Sequence, residues 1–512
     1  MLLVFANEEP HLEPNRSREL MSGVPTLSPA ALDRHSGRVL HPGQAIRAPG
    51  EPMPAGTVYR YDRLLVDSSV IQDEEARNRL EEAVASSGLR LECQSASLMV
   101  PSQGSWRVPV SLSGQGNPTT VDSWSLLQSL KTATNEGRLE ADITDNIRLE
   151  HLMVCSKGSP SISEAEPPNH GSLRSMGRIP VDTVNPMPLR RPMGRRIRVA
   201  ILDTGVPRSH PCFDVSDRSE GEDTFVLVDH EFQRRFGEHA DSHAEPLDTP
   251  WEGPIHEPTL IEEVASHFGH GTFMTGLLRQ MSPDAQVYSL RIVHNDGLTY
   301  EHEMVGALHH VADQIEAARG GDREAVGVDM VVLAIGYVDE YPGDEPARWM
   351  SRAIDRLTAL GVPVVAAAGN QSSDRPFYPA ALAARPRPED SAPVVSVAAL
   401  NPNGNVAMFS NDGPWVSCFA TGAGLVSTFP CEAQGSRMPA RQSQSSIDRY
   451  RESHDPDDFS AGYAVWSGTS FSAPIAAGFM VNEMAKMGLP TVDNSVEAAA
   501  WAHGALKRLK NR

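Results

Sequence analysis

The chain has 512 residues, of which 40% are hydrophobic and 22% are charged, an ordinary composition for a globular protein. The net charge of 45 − 66 = −21 argues against nucleic acid or an anionic membrane surface as the main partner. The apolar N-terminal run is too short for a signal peptide, and no run approaches ~18 apolar residues. We therefore expect a cytoplasmic protein, or one exported by a route that the sequence does not reveal.

The five cysteines are scattered along the chain without the spacing of metal ligands. Cys418 and Cys431 are close enough in sequence to form a disulfide, but buried free thiols are the favoured interpretation. We expect neither a metal nor a cofactor.

The N-terminal part of the chain divides into two segments. Residues 1–56 are rich in Pro, Glu, Arg and Gly with little periodicity, which predicts a poorly ordered leader. Residues 57–156 predict a β-α-β-β-α-β unit of the ferredoxin-like kind. Its predicted strands are 58–66, 89–93, 106–112 and 147–154, and its predicted helices are 73–86 and 120–134.

Residues 157–195 predict a linker, because they are rich in Ser, Pro, Gly and Arg. A basic run lies at its end and consists of Arg190, Arg191, Arg195, Arg196 and Arg198. A solvated connector is the favoured interpretation, and a processing site or a docking patch for an acidic partner is the alternative.

From residue 196 onwards the chain alternates between apolar strands and amphipathic helices. This alternation predicts an α/β fold with a parallel sheet and helices on both of its faces. The predicted strands are 197–202, 285–293, 328–335, 362–368 and 394–399, and the predicted helices are 272–280, 303–318 and 347–360. Two polar segments, 214–264 and 430–462, are interpreted as insertions.

One motif near the C-terminus combines a polar turn with a buried helix. Residues 468–474 read Gly-Thr-Ser-Phe-Ser-Ala-Pro, and the small apolar residues that follow predict a helix starting at or just before Ser470. A serine at a helix N-terminus lies among free N–H groups and at the positive end of the helix dipole, which favours a nucleophile. The alternative for such a serine is an ordinary helix N-cap.

Three upstream residues complete a candidate catalytic set. Asp203 ends a buried strand, His270 precedes a predicted helix, and Asn370 ends another strand. Taken singly, Asp203 and Asn370 also fit ordinary turns. His267 and His270 are spaced as two metal ligands would be, but no third ligand follows at a suitable spacing. His267 is therefore interpreted as a surface or supporting residue.

The order Asp, His, Asn, Ser resembles that of the subtilisin-like serine proteases, and the resemblance covers about 196–490. It implies that Asp203 orients the base, His270 is the base, and Ser470 is the nucleophile. It also implies that Asn370 and the Ser470 amide donate to the oxyanion. The substrate cleft implied by the resemblance is lined by Ala334, Ile335, Gly336, Tyr337, Ala367, Ala368 and Gly369. Tyr337 departs from the family pattern, in which a glycine is common, and no calcium-binding loop is evident.

The resemblance implies a serine endopeptidase that acts on protein or peptide substrates. The 57–156 unit resembles the family's propeptide in its predicted topology, so we expect it to restrain the enzyme in cis; an unrelated accessory domain is the alternative. A catalytically silent scaffold would not need all four functional residues. An esterase or acyltransferase would suit the predicted cleft strands less well than a peptidase would.

Overall fold

The computed structural model describes most of the chain. The described residues are 1–12, 24, 26–93, 107–114, 120–155, 178–182, 184–220, 223–238, 245–253, 264–341, 347–433, 442–445, 447–452, 459–489 and 494–511. Most of the predicted linker and parts of both predicted insertions lie outside these ranges, as does Trp106 at the start of one predicted strand.

The strands are β1 Leu3–Phe5, β2 Gly37–Val39, β3 Val58–Asp67, β4 Leu89–Cys93, β5 Arg107–Gly114, β6 Ile147–Cys155, β7 Ile179–Pro180, β8 Arg198–Asp203, β9 Val215–Asp217, β10 Val226–Val228, β11 Gln286–Arg291, β12 Leu298–Tyr300, β13 Met330–Leu333, β14 Ile335–Gly336, β15 Val364–Ala367, β16 Val394–Leu400, β17 Cys418–Thr421, β18 Leu425–Thr428, β19 Gln442–Gln444, β20 Tyr450–Glu452 and β21 Tyr463–Trp466. The α-helices are α1 Pro29–Arg34, α2 Ser68–Gln72, α3 Glu74–Ser86, α4 Ser123–Asn135, α5 Ala141–Thr144, α6 His230–Gly237, α7 His270–Met281, α8 Glu301–Arg319, α9 Arg348–Ala359, α10 Thr469–Lys486 and α11 Ser495–Lys510.

The main sheet has the order β1-β17-β16-β15-β13-β8-β11-β10-β9 in the described residues. Its strands are parallel except for β1, which pairs antiparallel with β17. Two separate hydrophobic clusters cover the two faces of this sheet. The neighbouring residues Val199 and Ala200, which point to opposite faces, belong to different clusters. The predicted parallel sheet with covered faces is confirmed; Asp203 is the last residue of β8, and Asn370 follows the carboxyl end of β15.

A second, antiparallel sheet contains the strands of the 57–156 unit in the order β6-β3-β5-β4. The helices α3 and α4 connect β3 to β4 and β5 to β6, which is the β-α-β-β-α-β order of a split unit. A core that includes Leu64, Leu80, Trp124 and Leu149 lies between the sheet and the helices. We call residues 57–156 the N-terminal unit.

The predicted leader contains more regular structure than its composition suggested. Leu3–Phe5 adds a strand to the edge of the main sheet, and Gly37–Val39 adds one to β3 of the N-terminal unit. The expectation of poor order is therefore wrong for these segments. A three-residue strand at a sheet edge is held by the backbone of its neighbour, so it needs no periodicity of its own.

The predicted linker and the first predicted insertion also differ from expectation. Ile179–Pro180 pairs with β21, and most arginines of the basic run form ion pairs with residues after 196 rather than a solvated connector. These ion pairs are Arg190–Asp223, Arg191–Asp284, Arg195–Asp329 and Arg196–Asp223. Within 214–264, β9 and β10 form one edge of the main sheet, so this part is not an insertion beside the fold.

The N-terminal unit lies against the part of the chain from residue 196 onwards through its last strand. β6 pairs antiparallel with β12 on one side and with β14 on the other. Residues Leu152–Val154 face Leu298–Tyr300, while Val154 and Cys155 face Gly336 and Ile335. In the described residues, no helix is both long enough and apolar enough to span a membrane.

Candidate active site

Asp203 and His270 form a buried pair between the end of β8 and the start of α7. His270 Nδ1 donates a hydrogen bond of 2.7 Å to Asp203 Oδ1, which also accepts one of 2.8 Å from the backbone N–H of Thr204. With the ring proton held on Nδ1, the neutral imidazole presents Nε2 as a proton acceptor. Nε2 is buried and has no hydrogen-bond partner among the described residues.

Two motif glycines allow this close approach. A Cβ on Gly271 would lie 2.4 Å from the carbonyl oxygen of Gly205, and a Cβ on Gly205 would lie 2.7 Å from that of Pro250. Gly205 also has a φ of +102°, which disfavours other residues. The Asp-Thr-Gly and His-Gly-Thr motifs therefore carry glycine because their backbones touch.

Ser470 lies in the first turn of α10, directly after Gly468 and Thr469. Its N–H therefore belongs to the group of helix N–H donors that have no acceptor inside the helix. Its hydroxyl donates to the carbonyl of Ala334 over 3.4 Å, and the side chain is buried. The hydroxyl must turn from Ala334 to Nε2 of His270 for proton transfer; in unliganded sites such catalytic bonds are often loose.

Asn370 is oriented towards this same helix start. Its Oδ1 accepts a hydrogen bond of 2.9 Å from the Thr469 N–H, and the hydroxyl of Thr469 accepts one of 3.1 Å from the Gly369 N–H. Because Oδ1 is occupied, the amide presents Nδ2 as a donor. Nδ2 is buried without a hydrogen-bond partner in the described part of the chain.

Glu252 is a site residue that sequence reasoning missed. Its carboxylate accepts hydrogen bonds from the Gly269 N–H, the Thr272 N–H and the Thr272 hydroxyl, at 3.2, 3.2 and 2.8 Å. It thereby caps helix α7, whose own N-cap, Gly269, has no side chain. Burial, with a contribution from the nearby Asp203, raises the pKa of Glu252 to about 7 although these hydrogen bonds lower it.

His267 is buried rather than at the surface, with a ring nitrogen 2.9 Å from the hydroxyl of Ser266. The metal-like grouping in the described residues involves a different set of side chains: ligand atoms of Cys155, Asp203 and His270 lie within 4.8 Å of one another. Because Asp203 and His270 already bond to each other, the grouping shows that Cys155, at the end of the N-terminal unit, lies against this pair.

The residues expected to line the cleft lie on both sides of the nucleophile. Ile335 and Gly336 form β14, which pairs with β6, and Ala334 precedes it beside Ser470. The remaining residues, Ala367, Ala368 and Gly369, end β15 and lead to Asn370. Tyr337 is almost fully buried, its ring stacked on His151 at 4.4 Å.

The fold and the site define a class: a parallel α/β protein with an Asp-His-Ser arrangement and an amide beside the serine. The profile of the Subtilase family (Peptidase S8) matches residues 194–490, more than half of the chain. The chain belongs to this family, which confirms the resemblance in the sequence.

Curated relatives are distant and match in part. Subtilisin BL of Lederbergia lenta is 27% identical over 171 residues, 32% of this chain and 54% of that protein. The thermophilic serine proteinase of Bacillus sp. (strain AK1) is 25% identical over 280 residues, 55% and 50% of the two chains. Thermitase of Thermoactinomyces vulgaris is 25% identical over 48% of this chain and 69% of its own. The chain thus spans about half the length of the first two.

Among solved structures, similarity is found to an S41 psychrophilic protease, with a TM-score of 0.35 and 21% identity over 62% of this chain and 82% of the other. A cold-adapted subtilisin-like serine proteinase has a TM-score of 0.36 and 17% identity over 64% and 88% of the two chains.

Proposed function

We propose that this chain is a serine endopeptidase that its own N-terminal unit restrains in cis. Ser470 is the nucleophile, His270 the general base and Asp203 the residue that orients the base. Asn370 Nδ2 and the Ser470 N–H are the oxyanion donors. The substrates are proteins or peptides that bind in an extended conformation.

The chemistry follows from the positions of these groups. Ser470 Oγ attacks the scissile carbonyl carbon while its proton passes to Nε2 of His270. The bond from His270 Nδ1 to Asp203 holds the tautomer and stabilises the imidazolium. The imidazolium then gives its proton to the leaving amine as the C–N bond breaks. Water, deprotonated by the same base, hydrolyses the acyl-enzyme and returns Ser470 to its starting state.

The observation that carries the proposal is the extended strand β6 in the cleft. It pairs on both sides, and the Cys155 N–H donates a hydrogen bond of 2.8 Å to the carbonyl of Gly297. Such pairing can bind the backbone of any extended peptide. A small ester has no peptide backbone with which to form these hydrogen bonds. Cys155 ends this strand beside His270, so a peptide that followed the path of β6 would reach the proposed base.

The same strand supports restraint by the N-terminal unit. β6 occupies the positions that a substrate would need, and its covalent connection gives it a high effective concentration. Residues 156–195 connect this strand to residues 196–512, which we call the catalytic part, so cutting within the connection separates the unit from the catalytic part.

The test compares the full-length wild type with Ser470→Ala during incubation, using intact-mass measurement. The wild type should shorten by cutting within 156–195, whereas Ser470→Ala should stay full length. Ser472→Ala is the matched control: Ser472 is also buried in α10, but its hydroxyl donates to the carbonyl of Ala420, so this variant should still cut itself. Cutting by Ser470→Ala would contradict the proposal.

A further inference from the structure

One side chain of β6 enters a strongly acidic part of the cleft, four residues before Cys155. His151 Nδ1 lies 2.7 Å from Glu301 Oε2, and His151 Nε2 lies 2.7 Å from Glu340 Oε2. All three side chains are at most 5% exposed. A single imidazole from the N-terminal unit thus bridges two buried carboxylates of the catalytic part.

The side chains that contact His151 here come from the catalytic part. Tyr337 stacks its ring on His151, and its hydroxyl donates to Glu301 Oε1 over 3.0 Å. Glu301 lies in the first turn of α8, where the helix dipole favours an anion. The backbone carbonyl of Glu340 accepts a hydrogen bond of 2.8 Å from the N–H of Ala55, which precedes the N-terminal unit. We call Glu301, Glu340 and Tyr337 the acidic subsite.

When β6 covers the acidic subsite, its buried carboxylates need a positively charged partner. Asp339, next in the chain to Glu340, is half-buried, and desolvation together with Glu340 raises its pKa to about 6. Burial would lower the pKa of His151, but Glu340 and Glu301 hold it well above its ordinary value. Two buried carboxylates without a positive partner are costly to keep in one pocket. His151 therefore acts as the cation of the docked strand.

We propose that the acidic subsite selects substrates with a cationic side chain at one position. That position lies four residues before the substrate residue that takes the place of Cys155 beside His270. The inference rests on the proposed function, because it treats β6 as an occupant of the substrate's own path. A lysine or arginine there takes the place of His151, with its charge between Glu301 and Glu340 and its stem along the ring of Tyr337. Neutral or acidic side chains leave the carboxylates without a partner.

The test uses internally quenched peptides that copy residues 147–160, with His151 kept or replaced by Arg, Gln or Glu. The full-length chain is the enzyme, and kcat/KM is measured for each peptide. The ratio between peptides does not depend on how many molecules have an open cleft. We expect Arg to exceed Gln by about tenfold or more, and Glu to be the poorest, because hydrogen bonds to charged groups are the strong ones.

A double variant, Glu301→Gln with Glu340→Gln, identifies the source of this preference. It should bring the Arg and Gln peptides to within about twofold of each other. Glu316→Gln is the control, because Glu316 lies on the same helix but pairs with Arg356 on α9. This control should keep the preference. Equal rates for Arg and Gln with the wild type would overturn the inference while leaving the proposed function intact.

A second arm needs no turnover. In the full-length Ser470→Ala chain, His151→Arg should keep β6 docked, and His151→Gln should release it. Hydrogen exchange of the amides of β14 reports the difference, because Gly336 pairs with Val154 of β6. We expect exchange at least about tenfold faster with Gln than with Arg. Equal exchange would overturn the acidic subsite even if no peptide were cleaved, whereas failure of Ser470 to react with a fluorophosphonate would count against the proposed function instead.

Discussion

The proposed catalytic triad and the surface that covers it are built from similar side chains but in different ways. In the triad, each residue lies at the end of a strand or the start of a helix, inside a short motif. In the covering surface, histidines and carboxylates pair across two parts of the chain without any motif. Both arrangements are buried, and both depend on a histidine held by a carboxylate.

Among the residues that the structure describes, three such pairings cross the interface. Besides His151 with its two glutamates, Asp296 accepts from His35 over 2.8 Å, and Glu150 pairs with His302. His35 precedes the N-terminal unit, while Glu150 belongs to it. The acid lies on the catalytic side in two of the three pairings and on the other side in the third.

Close backbone contacts require particular residues and therefore produce a motif that can be recognised in the sequence. Complementary charges across an interface produce no such motif. Gly205 and Gly271 are required because their backbones meet, so the motif cannot vary freely. An interface pair can exchange its acid and its base between partners, as the Glu150–His302 pair does relative to the other two. Substitutions in the proposed triad should therefore have larger effects than substitutions at the interface.

The largest effect is expected for the nucleophile. Ser470→Ala should lower peptide hydrolysis by at least about 10⁴-fold, because no other group forms the acyl-enzyme. Hydrolysis rates and labelling by a fluorophosphonate measure this loss. Labelling that maps to Ser472 would contradict the assignment.

A smaller loss is expected for the oxyanion donor. Asn370→Ala should lower kcat by about a hundredfold with little change in KM, since Nδ2 acts mainly in the transition state. Steady-state kinetics separate the two constants. Asn403→Ala is a suitable control, because Asn403 is an exposed turn residue whose side chain accepts from the Asn405 N–H. A normal kcat for Asn370→Ala would mean that other groups hold the oxyanion.

The interface predicts an effect of intermediate size. In the Ser470→Ala chain, Asp296→Asn should speed hydrogen exchange of β14 at least about tenfold, because a buried ion pair loses one partner. Glu140→Gln, which removes an exposed pair with Arg79 inside the N-terminal unit, should change nothing measurable. Unchanged exchange in Asp296→Asn would show that this pair does not hold the unit.

The same pair gives a pH dependence with a defined sign. Burial would raise the pKa of Asp296, but His35, with His294 and Arg34 nearby, holds it at about 2 in the docked state. Because the docked pKa lies below the ordinary carboxyl value, the pair stabilises docking at neutral pH. That stabilisation is lost as the pH falls from about 4 towards 2. The protection of the β14 amides, relative to the intrinsic exchange rate at each pH, should therefore fall over this range, and less so in Asp296→Asn.

The smallest effect is expected for Glu252. Its pKa of about 7 in the folded state lies above the ordinary value of 4.5, so ionisation costs stability as the pH rises between these values. Glu252→Gln cannot ionise and should lose less stability than the wild type between pH 5 and pH 8. Calorimetry measures the change in Tm between pH 5 and pH 8 for each protein, and this change should be smaller in the variant by roughly 1–3 °C. Equal changes would contradict the role of its charge.

The sequence predicted the parts of the fold that repeat a local pattern. The helix at Ser470 was expected at or just before that residue and begins at Thr469, because Gly468 ends the preceding loop. The long helix expected at 303–318 spans Glu301–Arg319. Apolar periodicity and a helix start are properties of neighbouring residues, so one sequence suffices to read them.

What the sequence did not predict depends on contacts between distant residues. Glu252 caps α7 from a segment that was interpreted as an insertion, and no residue near Gly269 signals that cap. Leu3–Phe5 is a strand only because β17 offers its edge. His151 meets its two glutamates across 150 and 189 positions of the chain, which no local pattern records.

The central claim is that a subtilase triad lies beneath a strand of its own N-terminal unit. The most direct measurement is the rate of fluorophosphonate labelling in the full-length wild type and in a His151→Glu, Asp296→Asn variant, with the modified peptide identified by mass spectrometry. We predict labelling at Ser470 in both proteins, with the variant faster by at least about tenfold because a like charge enters the acidic subsite and an interface pair is broken. Equal rates would contradict the covering strand, and a label on any other residue would contradict the triad.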